Sequence, residues 1–390
     1  MSGYDADILI AGGGPIGLAA ANALQRDGFG VRLIERSRQP PSFDASQTDA
    51  RVYALAPASL DFLDRLDAGE RLRALRHCPY RAMRVWDQSP ERPLRFDAAE
   101  AGAEHLGAIV EHAALAAALW QVLPPGVAEL GAEIVAAKTE EGLAELSLAD
   151  GRVLRGRLLL AADGPDSPLR ARLEIPTVGW SYRQQALVCH LRSALPHTGT
   201  AWQRFLPSGP LALLPLADGR VSLVWSCDEA LAAELMALSD ADFALRLSVA
   251  NQGVLGALSE PTPRRVFPLR LLHAQDYHGP GLALVGDAAH VVHPLAGQGL
   301  NLGLADVAML TKTLAAAREA GRGWWRSRTL AAYARQRKAE NLEMLALTDG
   351  LKRLFGNEQA SLRALRNLGL GLVNRLPLAK PALLARALGR

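Results

Sequence analysis

Three glycines within six residues carry the first recognisable chemistry of this chain. Gly12-x-Gly14-x-x-Gly17 follows the apolar run Ile8-Leu9-Ile10-Ala11 and precedes a helical pattern from Leu18 to Arg26. The first glycine permits a tight turn, the second lets a pyrophosphate approach the backbone, and the third lets helix and strand pack closely. The helix N-terminus then offers N–H groups to phosphate oxygens. A second apolar run, Val31 to Ile34, ends at Glu35, where a βαβ unit presents a carboxylate to ribose hydroxyls. Together these elements, within about 30 residues, form an adenine dinucleotide site. A glutamate there suits an unphosphorylated ribose, which disfavours NADP and leaves FAD and NAD open.

Two later segments repeat the strand-then-acid arrangement. Leu158-Leu159-Leu160-Ala161-Ala162 leads into Asp163-Gly164-Pro165-Asp166-Ser167-Pro168-Leu169-Arg170, which alone is a turn signal. Leu282-Ala283-Leu284-Val285 leads into Gly286-Asp287-Ala288-Ala289-His290 and then His293-Pro294-Leu295-Ala296-Gly297-Gln298-Gly299-Leu300-Asn301. A strand-end aspartate can accept from hydroxyls of a sugar-like chain. Gly297 and Gly299 let a flat ring approach the backbone, and the helix beginning there aims its positive end at whatever lies in front. That suits the negative pyrimidine edge of a reduced flavin. His290 and His293 lack a third ligand at metal spacing, so no metal site is expected.

These three signatures, in this order, resemble the flavin hydroxylases typified by para-hydroxybenzoate hydroxylase. The finer resemblance is to the ubiquinone-biosynthesis FAD-dependent hydroxylases. It rests on Asp49-Ala50-Arg51-Val52-Tyr53-Ala54-Leu55, Val85-Trp86-Asp87, Phe205-Leu206-Pro207, Gly209-Pro210-Leu211-Ala212-Leu213-Leu214-Pro215-Leu216, and the stretch from Gly286 to Asp306. Tyr333, Arg337, Asn341, Met344 and Asp349 continue it, so it spans nearly the whole chain. The resemblance implies that Glu35, with Arg36 beside it, binds the adenosine ribose and that Arg51 meets the pyrophosphate side. It implies Asp287, after Gly286, on the ribityl chain, and Pro294 with Gly297, Gln298, Gly299, Leu300 and Asn301 along the isoalloxazine. Asp163 and Gly164 would lie near the pyrophosphate and help admit the nicotinamide donor. No catalytic base is identified.

The elements that must position these residues imply an α/β fold. A Rossmann-like FAD-binding domain of the GR2 type is expected from residues 1–76, 101–177 and 277–350. A mainly antiparallel substrate sheet is expected from 77–100 and 178–276, with strands at Ala82–Trp86, Ala186–Leu191, Leu211–Leu216 and Arg220–Ser226. The turn Ala217-Asp218-Gly219 marks a hairpin. A C-terminal helical segment is expected from residues 351–390. The 390 residues, 49% hydrophobic and 21% charged, suffice for a large core and exclude disorder. A net charge of +3 gives no field for nucleic acid. Cys78, Cys189 and Cys227 show no metal or redox spacing and read as reduced thiols, consistent with a cytoplasmic protein.

No second glycine fingerprint provides a resident nicotinamide site, so NAD(P)H is expected as a transient reductant. The resemblance then implies O2 addition at flavin C4a and transfer of one oxygen from the hydroperoxide to an electron-rich ring. Candidate pocket residues are His190, Phe205, Leu214, Pro215 and Trp225, with Arg204 a further polar handle. This apolar set suits a polyprenylated phenol better than a small acid, or is simply the core of its own sheet. A hydroxylase of another aromatic compound and a non-catalytic flavoprotein partner remain as other readings. From Leu351 onward the chain is leucine-rich with eight basic residues and one acid, Glu358. That composition fits a peripheral contact with the inner membrane face or a partner of the same pathway, and equally a helical pair packed on the core.

Overall fold

The computed structural model describes residues 3–91, 93–292 and 297–355, with side chains to 350. Ile8–Ala11 forms the centre of a six-stranded sheet whose order is His278–Gly279, Leu282–Leu284, Leu158–Ala161, Ile8–Ala11, Val31–Glu35 and Ala128–Leu130. All pairs are parallel except the first. Ile8, Leu9, Ile10 and Leu158, Leu159, Leu160 are all fully buried, because a parallel sheet is covered on both faces. This is why these strands read as continuous apolar runs. Each of the three signature loops leaves the carboxyl end of one of the three central strands, the end at which open α/β sheets bind ligands.

The first helix, Pro15–Arg26, starts with Gly14 as its cap and Pro15 in its first turn. Proline there loses no intrahelical bond and presets the helical φ. The long helix Gln298–Glu319 packs against it, and the helix Ser327–Phe355 packs on the long helix. A small antiparallel sheet of Val52–Leu55, Gly107–Glu111 and His77–Tyr80 lies beside this domain.

The other large sheet is mainly antiparallel, as expected from the sequence. Its principal strands are Arg265–Ala274, Thr177–Ser193, Val221–Asp228, Gly209–Pro215, Thr200–Leu206 and Ala82–Trp86, in that order. Thr200–Leu206 and Ala82–Trp86 are parallel. His290–Val291 adds an edge strand from just after the Gly286–Asp287 loop.

The two faces of this sheet have different neighbours, and alternation along each strand assigns every residue to one of them. Leu187, Leu211, Leu213, Val221, Leu223 and Trp225 pack with Leu235, Phe243 and Leu247 of the helices Glu229–Ala237 and Asp240–Ala250. The opposite face carries Ala186, Val188 and His190 in register with Ser226, Val224 and Ser222. Leu214 on that face joins Val52, Ala54 and Ile109 of the small sheet, so it is the face turned toward the nucleotide domain.

Trp225 is 3% exposed and belongs to the helix-covered core. Trp225→Ala should therefore cost about 3–5 kcal/mol in urea unfolding. Val224→Ala, on the half-buried opposite face, should cost under about 1.5 kcal/mol. Equal costs would contradict the assignment of faces.

Candidate cofactor and active site

The glycine loop is shaped by contacts that leave no room for side chains. Gly12 has φ +104°, and a Cβ there would lie 2.5 Å from the Ala162 carbonyl oxygen. A Cβ on Gly17 would lie 1.9 Å from the carbonyl oxygen of Gly12. Gly14 differs: nothing comes within 4 Å of its Cβ position, and it is exposed. The backbone is thus held tightly behind Gly14 and open in front of it. Glu35 accepts the Gly13 N–H at 2.6 Å and the Ser37 N–H at 2.7 Å. Its carboxylate is fixed against the glycine loop with lone pairs remaining for hydroxyls. Arg36 follows on the exposed surface.

The other two loops bring acids to the same sheet end. Asp163 Oδ2 accepts the Leu169 N–H at 3.0 Å, while its buried Oδ1 has no hydrogen-bond partner. A buried carboxylate oxygen without a donor is costly, and a bound hydroxyl or N–H would satisfy it. Gly164 turns with φ +88° and open space at its Cβ position. Arg170 ties this loop to the third signature, donating to the Ala288 carbonyl at 2.9 Å and to Pro165 at 2.8 Å. Gly286 has φ +59°. Asp287 is enclosed by protein yet keeps an exposed surface, as a group in a deep cleft does. Burial pushes its carboxyl above the usual range, against the opposing pull of His290 and Arg51.

Arg51 reaches this cleft from the small sheet. Its N–H donates to Asp49 Oδ1 at 3.0 Å and its carbonyl accepts from the His112 N–H at 3.0 Å. The guanidinium sits 5.6 Å from the ring centroid of Phe267, on the cover sheet's inner face. Tyr53 OH and His112 Nδ1 are 2.9 Å apart, with Arg51 beside them. Burial, then the Arg51 charge, lowers the His112 pKa, and one hydrogen bond joins its Nδ1 to the phenol oxygen. Burial pushes the Tyr53 phenol up to about 12. Sequence reasoning missed this pair. Tyr53 lies within the Asp49–Leu55 stretch, but nothing in the sequence marks His112 as its partner.

The long helix begins at Gly297, whose φ is +65° and whose Cβ position is 3.3 Å from the Ala54 N. Gln298, Gly299 and Leu300 are half-buried in its first turn. Asn301 makes a set of contacts of its own at the start of this helix. Its Oδ1 accepts from the Ala56 N–H at 2.9 Å and the Ser59 hydroxyl at 2.8 Å, and its Nδ2 donates to the Ala54 carbonyl at 2.8 Å. Its side chain clamps the helix N-terminus to the strand Val52–Leu55. Pro294 lies outside the described residues, as does His293.

The pocket candidates divide by face. His190, Phe205 and Leu214 share the inner face. Trp225 does not: it packs under the two helices, and Pro215, in register with Val221, falls on that same outer face. Both are therefore withdrawn from the pocket, because a strand's side chains alternate and the apolar run Leu211–Leu216 gave no parity. Arg204, in register with Leu211, is also on the outer face, where it donates to the Ala250 and Asp87 carbonyls. His190 is fully buried and donates Nε2–H to the Asp49 carbonyl at 2.9 Å, joining the sheet to the loop before Arg51. Among the described residues no cluster of His, Cys, Asp and Glu could hold a metal ion.

The open front of Gly14, the fixed Glu35, the unpartnered Asp163 Oδ1 and Asp287 in its cleft fit an adenine dinucleotide with a ribityl chain. Gly17→Ala should lower the melting temperature of the apoprotein itself, since its Cβ meets backbone. Gly14→Ala should leave the apoprotein unchanged and weaken cofactor binding by about tenfold, ~1.4 kcal/mol. Thermal unfolding and a cofactor titration of both variants check this. Equal destabilisation of the two apoproteins would contradict the geometry.

Residues 5–348 match the family described as FAD binding domain. The chain is 36% identical over 392 residues to 3-demethoxyubiquinol 3-hydroxylase of Escherichia coli, an alignment covering 100% of both chains. It is 34% identical to the mitochondrial ubiquinone biosynthesis monooxygenase COQ6 of Danio rerio, covering 98% of this chain and 89% of that one. Its fold is similar to that of Klebsiella pneumoniae HpxO, solved with FAD and uric acid, with a TM-score of 0.76, 17% identity and coverage of 97% and 96%. The family match and the full-length similarity have one conclusion: this chain belongs to the FAD-dependent monooxygenase family that includes the ubiquinone-biosynthesis hydroxylases.

Proposed function

We propose that the protein hydroxylates the aromatic ring of a polyprenylated phenol or quinol in ubiquinone biosynthesis, using O2 and NAD(P)H. The observation that carries this reading is the apolar inner face of the cover sheet. Val188, Ala212, Leu214, Val224, Phe205 and Phe267 lie on it, and such a surface suits a long hydrocarbon substituent better than a carboxylate. The full-length relatives named for ubiquinone biosynthesis support the same substrate class.

FAD, when bound and reduced, supplies the activation of O2. The chain's own part is to hold and shield. Glu35 and the glycine loop take the adenosine half, Arg51 the pyrophosphate, and Asp163 and Asp287 the hydroxyls nearby. The N-terminus of the long helix faces the pyrimidine edge and favours negative charge there. The inner face of the cover sheet excludes water from the reacting ring. A prenyl chain dissolves in lipid, so the protein works as a peripheral enzyme on the cytoplasmic membrane face. No helix among the described residues is long and apolar enough to cross a membrane. The basic, leucine-rich stretch considered for membrane or partner contact lies almost entirely outside the described residues.

Purified FAD-loaded protein, given O2 and either NADH or NADPH, should form a hydroxylated product from a prenylated phenol. Its kcat/KM should exceed that for an unprenylated soluble phenol by at least about tenfold, ~1.4 kcal/mol. A preference for the soluble phenol would assign it to another aromatic pathway. NAD(P)H oxidation without any product would overturn the hydroxylase reading.

A further inference from the structure

Beneath the Gly286–Asp287 loop lies a buried charged cluster that no cofactor contact explains. Its centre is Asp306, fully buried on the long helix nine residues after Gly297. The carboxylate receives the backbone N–H of Gly286 at 3.0 Å and His290 Nε2–H at 2.6 Å. It also receives Arg337 Nε–H at 2.8 Å and Asn341 Nδ2–H at 3.2 Å from the helix Ser327–Phe355. Burial alone would raise its pKa, but the charges and hydrogen bonds of His290 and Arg337 outweigh that and hold it below the usual range.

Two of these donors bracket Asp287. Gly286 precedes it and His290 follows three residues later, so one carboxylate grips both ends of the loop that presents the ribityl acid. Gly303, one turn earlier on the same helix, presses on that loop from a second point: its Cβ position is 3.1 Å from the Gly286 Cα and 2.7 Å from Ile16 Cδ1. The helix carrying Asp306 is also the one whose first turn faces the flavin ring. Its N-terminus is clamped by Asn301, and its flank is fixed by Arg337, which donates to the Leu302 carbonyl at 3.3 Å. Loop and ring end are thereby set by a single rigid element.

We infer that Asp306 is a positioning residue for the cofactor, fixing Asp287 relative to the flavin-facing end of the long helix through Gly286 and His290. A carboxylate with four donors is stronger and more directional than a neutral amide in the same place. It also closes a network whose members become unpaired buried groups if it is lost. This inference rests on FAD binding alone and not on the identity of the substrate.

The test compares Asp306→Asn, His290→Gln and His290→Leu in the full chain. Apoprotein melting temperatures, FAD titrations and the visible circular dichroism of the bound flavin are measured for each. Asp306→Asn should weaken FAD at least tenfold and change the visible dichroism even at full occupancy. His290→Gln keeps an N–H donor and should stay within twofold of the unaltered protein, whereas His290→Leu should follow Asp306→Asn. Should Asp306→Asn fail to fold, the contrast between the two His290 variants decides. Lowered melting temperatures with unchanged FAD affinity and unchanged dichroism would overturn the inference and leave the cluster a prop of the fold. Equal behaviour of His290→Gln and His290→Leu would overturn it too.

Discussion

The contact between Gly17 and the Gly12 carbonyl is the constraint on which the rest of the site depends. With no Cβ between them, the first helix starts directly above the end of the central strand. A helix displaced by even one methyl group would carry its N-terminal end away from Glu35, whose carboxylate is bonded to Gly13. The acids Asp163 and Asp287 follow neighbouring strands and so lie at the same end of the sheet. That is what a parallel sheet with ordered crossovers provides.

The second requirement is that the cover sheet keep a fixed distance from this frame. Much of that task falls to the loop before Arg51. The Asp49 N–H donates to Glu111 at 2.8 Å, and Glu111 also accepts from Arg76 at 2.9 Å with both side chains largely buried. His190 from the cover sheet donates to the Asp49 carbonyl, and Arg220 reaches Thr48. Paired, hydrogen-bonded charges at a buried junction add little net stability but penalise misplacement of either partner. The same loop carries Arg51, whose N–H donates to Asp49 and whose guanidinium lies over Phe267 of the cover sheet.

The strand–loop–helix geometry around the glycines was legible because it is set by local backbone needs. Gly12, Gly17 and Glu35 follow one another within a single βαβ unit, and Asp163 and Asp287 each end a buried strand. The cover sheet was legible as strands and as a hairpin, but not in parity. Leu211 to Leu216 is apolar at nearly every position, so its two faces look alike until the helices Glu229–Ala237 and Asp240–Ala250 are seen to occupy one of them. Trp225 and Pro215 therefore read as pocket residues in the sequence and lie on the helix-covered face in the structure. The clamp made by Asn301 and the pairing of His112 are not legible for another reason. Their partners, Ala54, Ala56, Ser59 and Tyr53, are distant in sequence, and no periodicity encodes such meetings.

The most direct test of the central claim, that this flavoprotein inserts an oxygen atom from O2 into an aromatic ring, is isotopic. FAD-loaded protein, reduced by NAD(P)H, is given a prenylated phenol under 18O2 and the product is weighed by mass spectrometry. The account predicts one 18O atom per newly formed ring hydroxyl. A hydroxyl carrying oxygen from water, or substrate recovered unchanged while peroxide accumulates, would contradict it.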